Sequence, residues 1–301
     1  MKSTRKAYGE FLVDIGSNKD VVVLDADLAT ATKTDMFKKE YPQRHIDVGI
    51  AEQDLVGTAC GLALSGKTVF ASTFAMFMAG RAYDQVRNTA AYSHVNVNLC
   101  ATHAGVMVGE DGPTHQCIED VALMNVIPTM KILSPADDIS TKKILSLCMQ
   151  EDGPKYVRLG RSDVEDIYDN TYEFKIGGSH TFGDGEDGTI FAYGPTVSIA
   201  LEAQKELEQN GKYVRVVDLY SIKPVDKEAI LKCAKETEKL ISIEDHSIIG
   251  GIGSIISNIL CEEYPKKLEK IGIPDTFGKS GSAKEVYKYF GLTKENVISK
   301  F

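Results

Sequence analysis

Short runs of aliphatic and β-branched residues recur along the first half of the chain, each followed by a stretch whose apolar positions repeat at helical spacing. The runs VVVLD (Val21 to Asp25), HIDVG, KTVFAS, VNVNLC, MKILS and KYVRL alternate with helix-like segments such as residues 137–149. This alternation predicts an α/β fold, a parallel sheet covered by helices. In such sheets ligands gather beyond the carboxyl ends of the strands. Here those ends carry DADLATAT, GIAEQ, STFAMF and the long polar loop from His103 to Gln116. Between Ser162 and about Gly188 the pattern lapses into acidic, glycine-containing sequence that reads as a linker. A second alternation follows: TIFAYG, a helix from Thr196 to Gln209 closed by Asn210-Gly211, YVRVVDL, a helix after Pro224, KLISIED and a helix after Gly253. Two domains are therefore expected, residues 1–165 and a smaller α/β domain at 188–301, joined by a linker at 166–187.

Composition narrows the class. With 301 residues, 43 % of them hydrophobic and 26 % charged, the chain has the make-up of an ordinary globular protein large enough for two cores. A net charge of -9 with no basic stripe argues against nucleic acid or an anionic membrane as partner. No apolar run approaches the length of a membrane span, and no export signal is visible, so a cytoplasmic location is expected. The six cysteines are scattered without a C-x-x-C pair, which points to reduced thiols rather than a zinc ribbon or a disulfide framework.

Several motifs tempt and fail. GDGEDG at Gly183 to Gly188 matches the dinucleotide fingerprint, but it opens a strand instead of a helix, and its interior acids would repel a pyrophosphate. The same Gly183-Asp184-Gly185 with Asn210 imitates a metal and diphosphate motif, although Asn210-Gly211 falls where a helix should end. GGIGS at Gly250 to Ser254 fits either close packing of a helix on the sheet or an anion at a helix start.

The loop ATHAGVMVGEDGPTHQ, with His103, Asp111 and His115 near Cys117, is unlike core. Three readings stand on residue chemistry: a metal site of unfamiliar spacing, polar groups that satisfy a long loop, and imidazoles that exchange protons with a substrate hydroxyl or carbonyl. In DVGIAEQDLVGTACG, Gly49 turns the chain and Glu52 enters the first turn of a helix rich in small residues. A first-turn acid that complements the helix dipole would explain Glu52 alone.

Taken together, STRKAYG, DADL, DVGIAEQ, STFAMF, ATHAGVMVGEDGPTHQCIED, SPADD, VRLGR and IEDHSIIGGIGS resemble the C-terminal half of transketolases, across nearly the whole chain. The likeness is strongest to the C-terminal subunit of split transketolases made from two polypeptides. It implies a pyrimidine-binding domain, a transketolase C-terminal domain, and reversible transfer of a two-carbon ketol unit from a ketose phosphate to an aldose phosphate, as in the pentose phosphate pathway.

By that resemblance Glu52 bonds pyrimidine N1′ of thiamine diphosphate and favours the imino tautomer that takes the thiazolium C2 proton. Phe74 and Phe77 pack on the pyrimidine. Asp27 is an acid near the cofactor across a subunit interface. His103, Asp111 and His115 meet sugar hydroxyls, and Arg5 and Arg161 hold the substrate phosphate. On this reading the loop is rich in glycine so that it can approach a sugar closely.

Two departures stand out. Gly80 falls near the place of a usual third aromatic, with Tyr83 as a substitute, and ATAT replaces a phosphate-site serine, with Thr30 or Thr32 as substitutes. No credible diphosphate motif is present. The resemblance therefore implies an N-terminal partner that holds Mg or Ca with the diphosphate, in an α2β2 assembly. Three rivals are a subunit of a 1-deoxyxylulose-5-phosphate synthase-like enzyme, the β subunit of a 2-oxoacid dehydrogenase and, from another class, a non-catalytic regulatory partner. His103 counts against the first, GEDGPTHQ against the second, and intact Glu52, His103 and His115 against the third.

Overall fold

The computed structural model describes residues 1–301 as an α/β fold with two main sheets. The larger has seven strands, in the order Ser221–Lys223, Lys131–Leu133, Lys155–Arg158, Asn98–Thr102, Thr68–Phe74, Val21–Asp25 and His45–Asp47. All are parallel except Ser221–Lys223, which runs antiparallel to its neighbour. The central strands are buried at every position but Thr68, as expected when helices cover both faces. The smaller sheet has five strands, Leu268–Ile273, Lys239–Ser247, Gly188–Ala192, Val214–Asp218 and His180–Phe182, the last antiparallel.

The two halves are not beads on a string. The strand Ser221–Lys223 follows the second alternation in sequence yet extends the first sheet. One hydrophobic cluster runs from Leu24, Val69 and Leu99 to Phe191, Tyr193 and Val217. Segment 162–187 is tied at both ends: Asp163–Val164 pairs with Lys2–Ser3, and His180–Phe182 forms the edge of the second sheet.

GGIGS has an internal explanation. Ile252 N–H and Gly253 N–H, at the start of helix Ile252–Glu263, donate to the two oxygens of Glu244 at 2.7 and 3.1 Å. The anion at this helix start is a side chain of the same protein. GDGEDG is a turn beside Tyr213, and Asn210-Gly211 ends helix Thr196–Gln209 with Gly211 at φ 75°.

Candidate active site

Four parallel strands of the larger sheet lead into candidate residues at one edge. Thr68–Phe74 ends in Phe74, Asn98–Thr102 leads into His103, and Lys155–Arg158 leads to Arg161. After His45–Asp47, Gly49 turns at φ 75° and helix Glu52–Leu64 begins. Glu52 is only 2 % exposed, so it is no ordinary surface acid at a helix start. Its Oε1 accepts from Arg81 Nη1 at 2.7 Å, and its Oε2 is buried with no partner at all. An orphaned carboxylate oxygen in a dry place is costly, and it marks where a donor from outside the chain fits.

Through Arg81 the carboxylate is linked to an aromatic column. Phe74 and Phe77 stack with centroids 5.6 Å apart and planes 14° from parallel. His103 stacks on Phe74 at 3.8 Å, and His115 meets both phenylalanines edge-on, at 6.2 and 5.5 Å. The Arg81 guanidinium lies 4.3 Å from the Phe77 centroid. Arg81 gave no signal in the sequence, because its place depends on a π turn through Phe77–Arg81, closed by Ala82 N–H to Phe77 C=O at 3.0 Å. Tyr83, the substitute expected for the aromatic missing near Gly80, packs against the core.

The cationic side of the site is equally specific. Arg5 Nη1 lies 3.2 Å from His103 Nε2 and also donates to Ala31 C=O, and Arg5 Nε donates to Arg161 C=O at 3.1 Å. Arginine has only donors, so Nε2 of His103 accepts. The ring is then the Nδ1–H tautomer, donating to Thr102 Oγ1 at 2.9 Å. Burial first, then the charges of Arg5 and Arg161, push the His103 pKa down to about 3. Arg161 Nη1 bonds Val108 C=O and pairs with Asp111 at 3.4 Å. Arg5 Nη2 and Arg161 Nη2 have no partner in the chain.

Asp27 stands apart: it is exposed at φ 58°, its N–H bonds Asp47, and its carboxylate joins no other candidate. Thr32 is buried with its hydroxyl on Asp25 at 2.7 Å, which leaves Thr30 as the exposed member of ATAT. The loop glycines have a different use from the one expected. A Cβ on Gly105 would lie 2.1 Å from Asp245 Oδ2, and one on Gly112 would lie 2.2 Å from Ser280 Oγ. These glycines admit the second half of the molecule rather than a ligand. Gln116 fastens the same contact through Nε2 to Lys279 C=O at 2.8 Å.

Residues 1–166 match the transketolase pyrimidine-binding domain, and residues 180–297 match the transketolase C-terminal domain. The chain belongs to the transketolase family. A Methanocaldococcus jannaschii protein named for a transketolase C-terminal section is 46 % identical over 99 % of this chain and 95 % of its own length. One of the subunits of an apulose-4-phosphate transketolase from Phocaeicola vulgatus is 40 % identical over 99 % of this chain and 96 % of its own. A split-gene transketolase solved as an inactive β4 tetramer superposes with a TM-score of 0.92 at 44 % identity, over 99 % of this chain and 97 % of that one.

Transketolases depend on thiamine diphosphate, and the residues present fit its pyrimidine end. The unpartnered Glu52 Oε2 matches a ring N–H, and Phe77 has a flat apolar face that Arg81 covers in this chain.

Proposed function

We propose that this chain is the C-terminal subunit of a split, thiamine-diphosphate-dependent transketolase that moves a two-carbon ketol unit from a ketose phosphate to an aldose phosphate. Residues 1–165 form the pyrimidine-binding domain, and 188–301 form the C-terminal domain beyond a junction at 166–187. The enzyme turns over only with an N-terminal subunit that holds the diphosphate and its Mg or Ca, in a cytoplasmic α2β2 assembly. The observation that carries this reading is the buried, unpartnered Glu52 Oε2, on a carboxylate that Arg81 links to the Phe77 ring. The inactive β4 form of a similar split-gene protein fits a chain that needs its partner.

Bound thiamine diphosphate supplies the carbanion that accepts and releases the two-carbon unit. Glu52 holds the pyrimidine N1′ proton at Oε2, while Phe74 and Phe77 orient the ring. His103, neutral at working pH, accepts a hydrogen bond from a substrate hydroxyl at Nε2 once the sugar displaces Arg5 from that atom. His115 and Asp111 meet further hydroxyls. The unpartnered donors of Arg5 and Arg161 suit a phosphate, which guanidinium groups grip through paired N–H bonds. Asp27, exposed at the rim, is free to meet the cofactor region of a neighbouring subunit. The similarity to an apulose-4-phosphate transketolase leaves the choice of sugar phosphate open within the class.

The test is capture of the tagged chain from its native cells, with mass spectrometry of what accompanies it and a ketol-transfer assay of the complex. A stoichiometric partner with a Gly-Asp-Gly motif and a downstream Asn is expected. Glu52→Gln should abolish transfer while leaving assembly intact. A chain that comes down alone, or full turnover by that variant, would sink the proposal.

A further inference from the structure

We infer that Arg81 is a stand-in for the aminopyrimidine, holding its place in this chain until the cofactor displaces it. The inference rests on the reading that Glu52 takes that ring. Two contacts define where an aminopyrimidine goes: its face lies on Phe77 and one N–H points into the Glu52 carboxylate. The Arg81 guanidinium covers the same ring and bonds the same carboxylate, through Oε1, leaving Oε2 open. It is a planar set of N–H donors, 4.3 Å from the Phe77 centroid, with Nη1 2.7 Å from Glu52 Oε1. The carboxylate can serve both through its two oxygens, but two flat groups cannot lie on the same face of Phe77 at once.

The surroundings are suited to exchange rather than permanence. Glu52 is fixed and 2 % exposed, but the Arg81 side chain is 49 % exposed and reaches in from the surface. Apart from Glu52, no side chain holds the guanidinium through a hydrogen bond or ion pair. Arg81 also follows Gly80 in the π turn and lines an open cleft of about 1070 Å³ between the two halves, together with Phe77, Thr114 and Phe277. The side chain thus has room to swing away. The benefit is to the unassembled chain: with Arg81 in place, one oxygen of a buried carboxylate has a partner and the Phe77 face is covered. Without it, Glu52 would be a buried anion with no counter-charge, an arrangement that costs stability.

A stand-in competes with the cofactor, whereas a supporting residue helps it bind, and the two roles predict opposite signs. The complex with the captured partner is titrated with thiamine diphosphate and Mg by calorimetry, for wild type, Arg81→Ala, Arg81→Gln and Glu52→Gln. Removing a half-exposed ion pair with a cation–π contact should tighten cofactor binding by about three- to ten-fold in Arg81→Ala. Arg81→Gln should follow in the same direction, and it carries the test if the alanine variant fails to assemble by light scattering. Unchanged or weaker binding in the Arg81 variants, with normal binding by wild type, overturns the stand-in alone. Equal affinity of wild type and Glu52→Gln, or no binding by the wild-type complex, removes the Glu52 reading and the stand-in with it.

Discussion

At the residue scale the site separates what a motif can reveal from what only geometry reveals. His103 and His115 stand out because imidazoles in a glycine-punctuated loop have no place in an ordinary core, whereas Glu52 alone reads as a first-turn acid and gains a role only through the family pattern. Phe74 and Phe77 were legible only through the family pattern, since two aromatics after a strand look like packing. Arg81 was not legible at all, because a π turn decides where it points. Arg161 lies between these cases. Its pairing with Asp111 at 3.4 Å involves two partly exposed side chains, so it adds little to stability. Its free donors are of more consequence. Arg161→Ala should raise KM for phosphorylated sugars by about 10- to 100-fold, the size of a charge-assisted contact. KM for unphosphorylated sugars should barely move. Equal effects on both, measured with the reconstituted complex, would take Arg161 out of the phosphate site.

At the element scale, strands and helices followed the periodicity closely: helix Thr196–Gln209 and its glycine stop fall where the pattern puts them. Short segments did not. Three-residue strands such as Ser221–Lys223 carry too few positions for a period, and their sheet is chosen by partners distant in sequence. Glycines show the same limit, since sequence marks a glycine without saying what approaches it. Gly49 and Gly105 both sit at φ 75°, but a Cβ on Gly49 meets nothing within 4 Å, while one on Gly105 runs into the buried Asp245 carboxylate. Gly49→Ala should therefore cost only the backbone strain, about 1 kcal/mol. Gly105→Ala should cost at least about 3 kcal/mol, because Asp245 also accepts from Val106 N–H and Tyr287 O–H and has no room to retreat. Urea unfolding of the two variants checks this, and equal losses would mean that the loop does not depend on its contact with the second half.

For the whole molecule, the seam between the halves is a buried polar network. Arg158 bonds both oxygens of Asp120 and donates to the Asp245 carbonyl at 2.7 Å. His246 belongs to the same seam: its Nδ1–H donates to Ser247 C=O at 2.8 Å, and Nε2 faces Ala122 N–H at 3.5 Å. Burial pushes its pKa down to about 4, with Asp120 pulling the other way and Arg158 adding to the fall. Between pH 4 and 6.5 the unfolded chain therefore binds a proton that the folded chain refuses. The stability His246 contributes is complete above about pH 6.5 and is lost as the pH falls toward 4. Two buried acids act in the opposite sense: Glu244, raised to about 7, and Asp218, raised to about 8, favour the fold at low pH and lose that contribution as the pH rises. Total stability across this range mixes both signs, so the informative quantity is the difference between wild type and His246→Gln. That difference should shrink by about 2 to 3 kcal/mol between pH 7.5 and 4.5 in urea unfolding. A gap that stays constant would mean that His246 takes up its proton in the folded seam as readily as in water, and that the two halves are not joined through a dry interface.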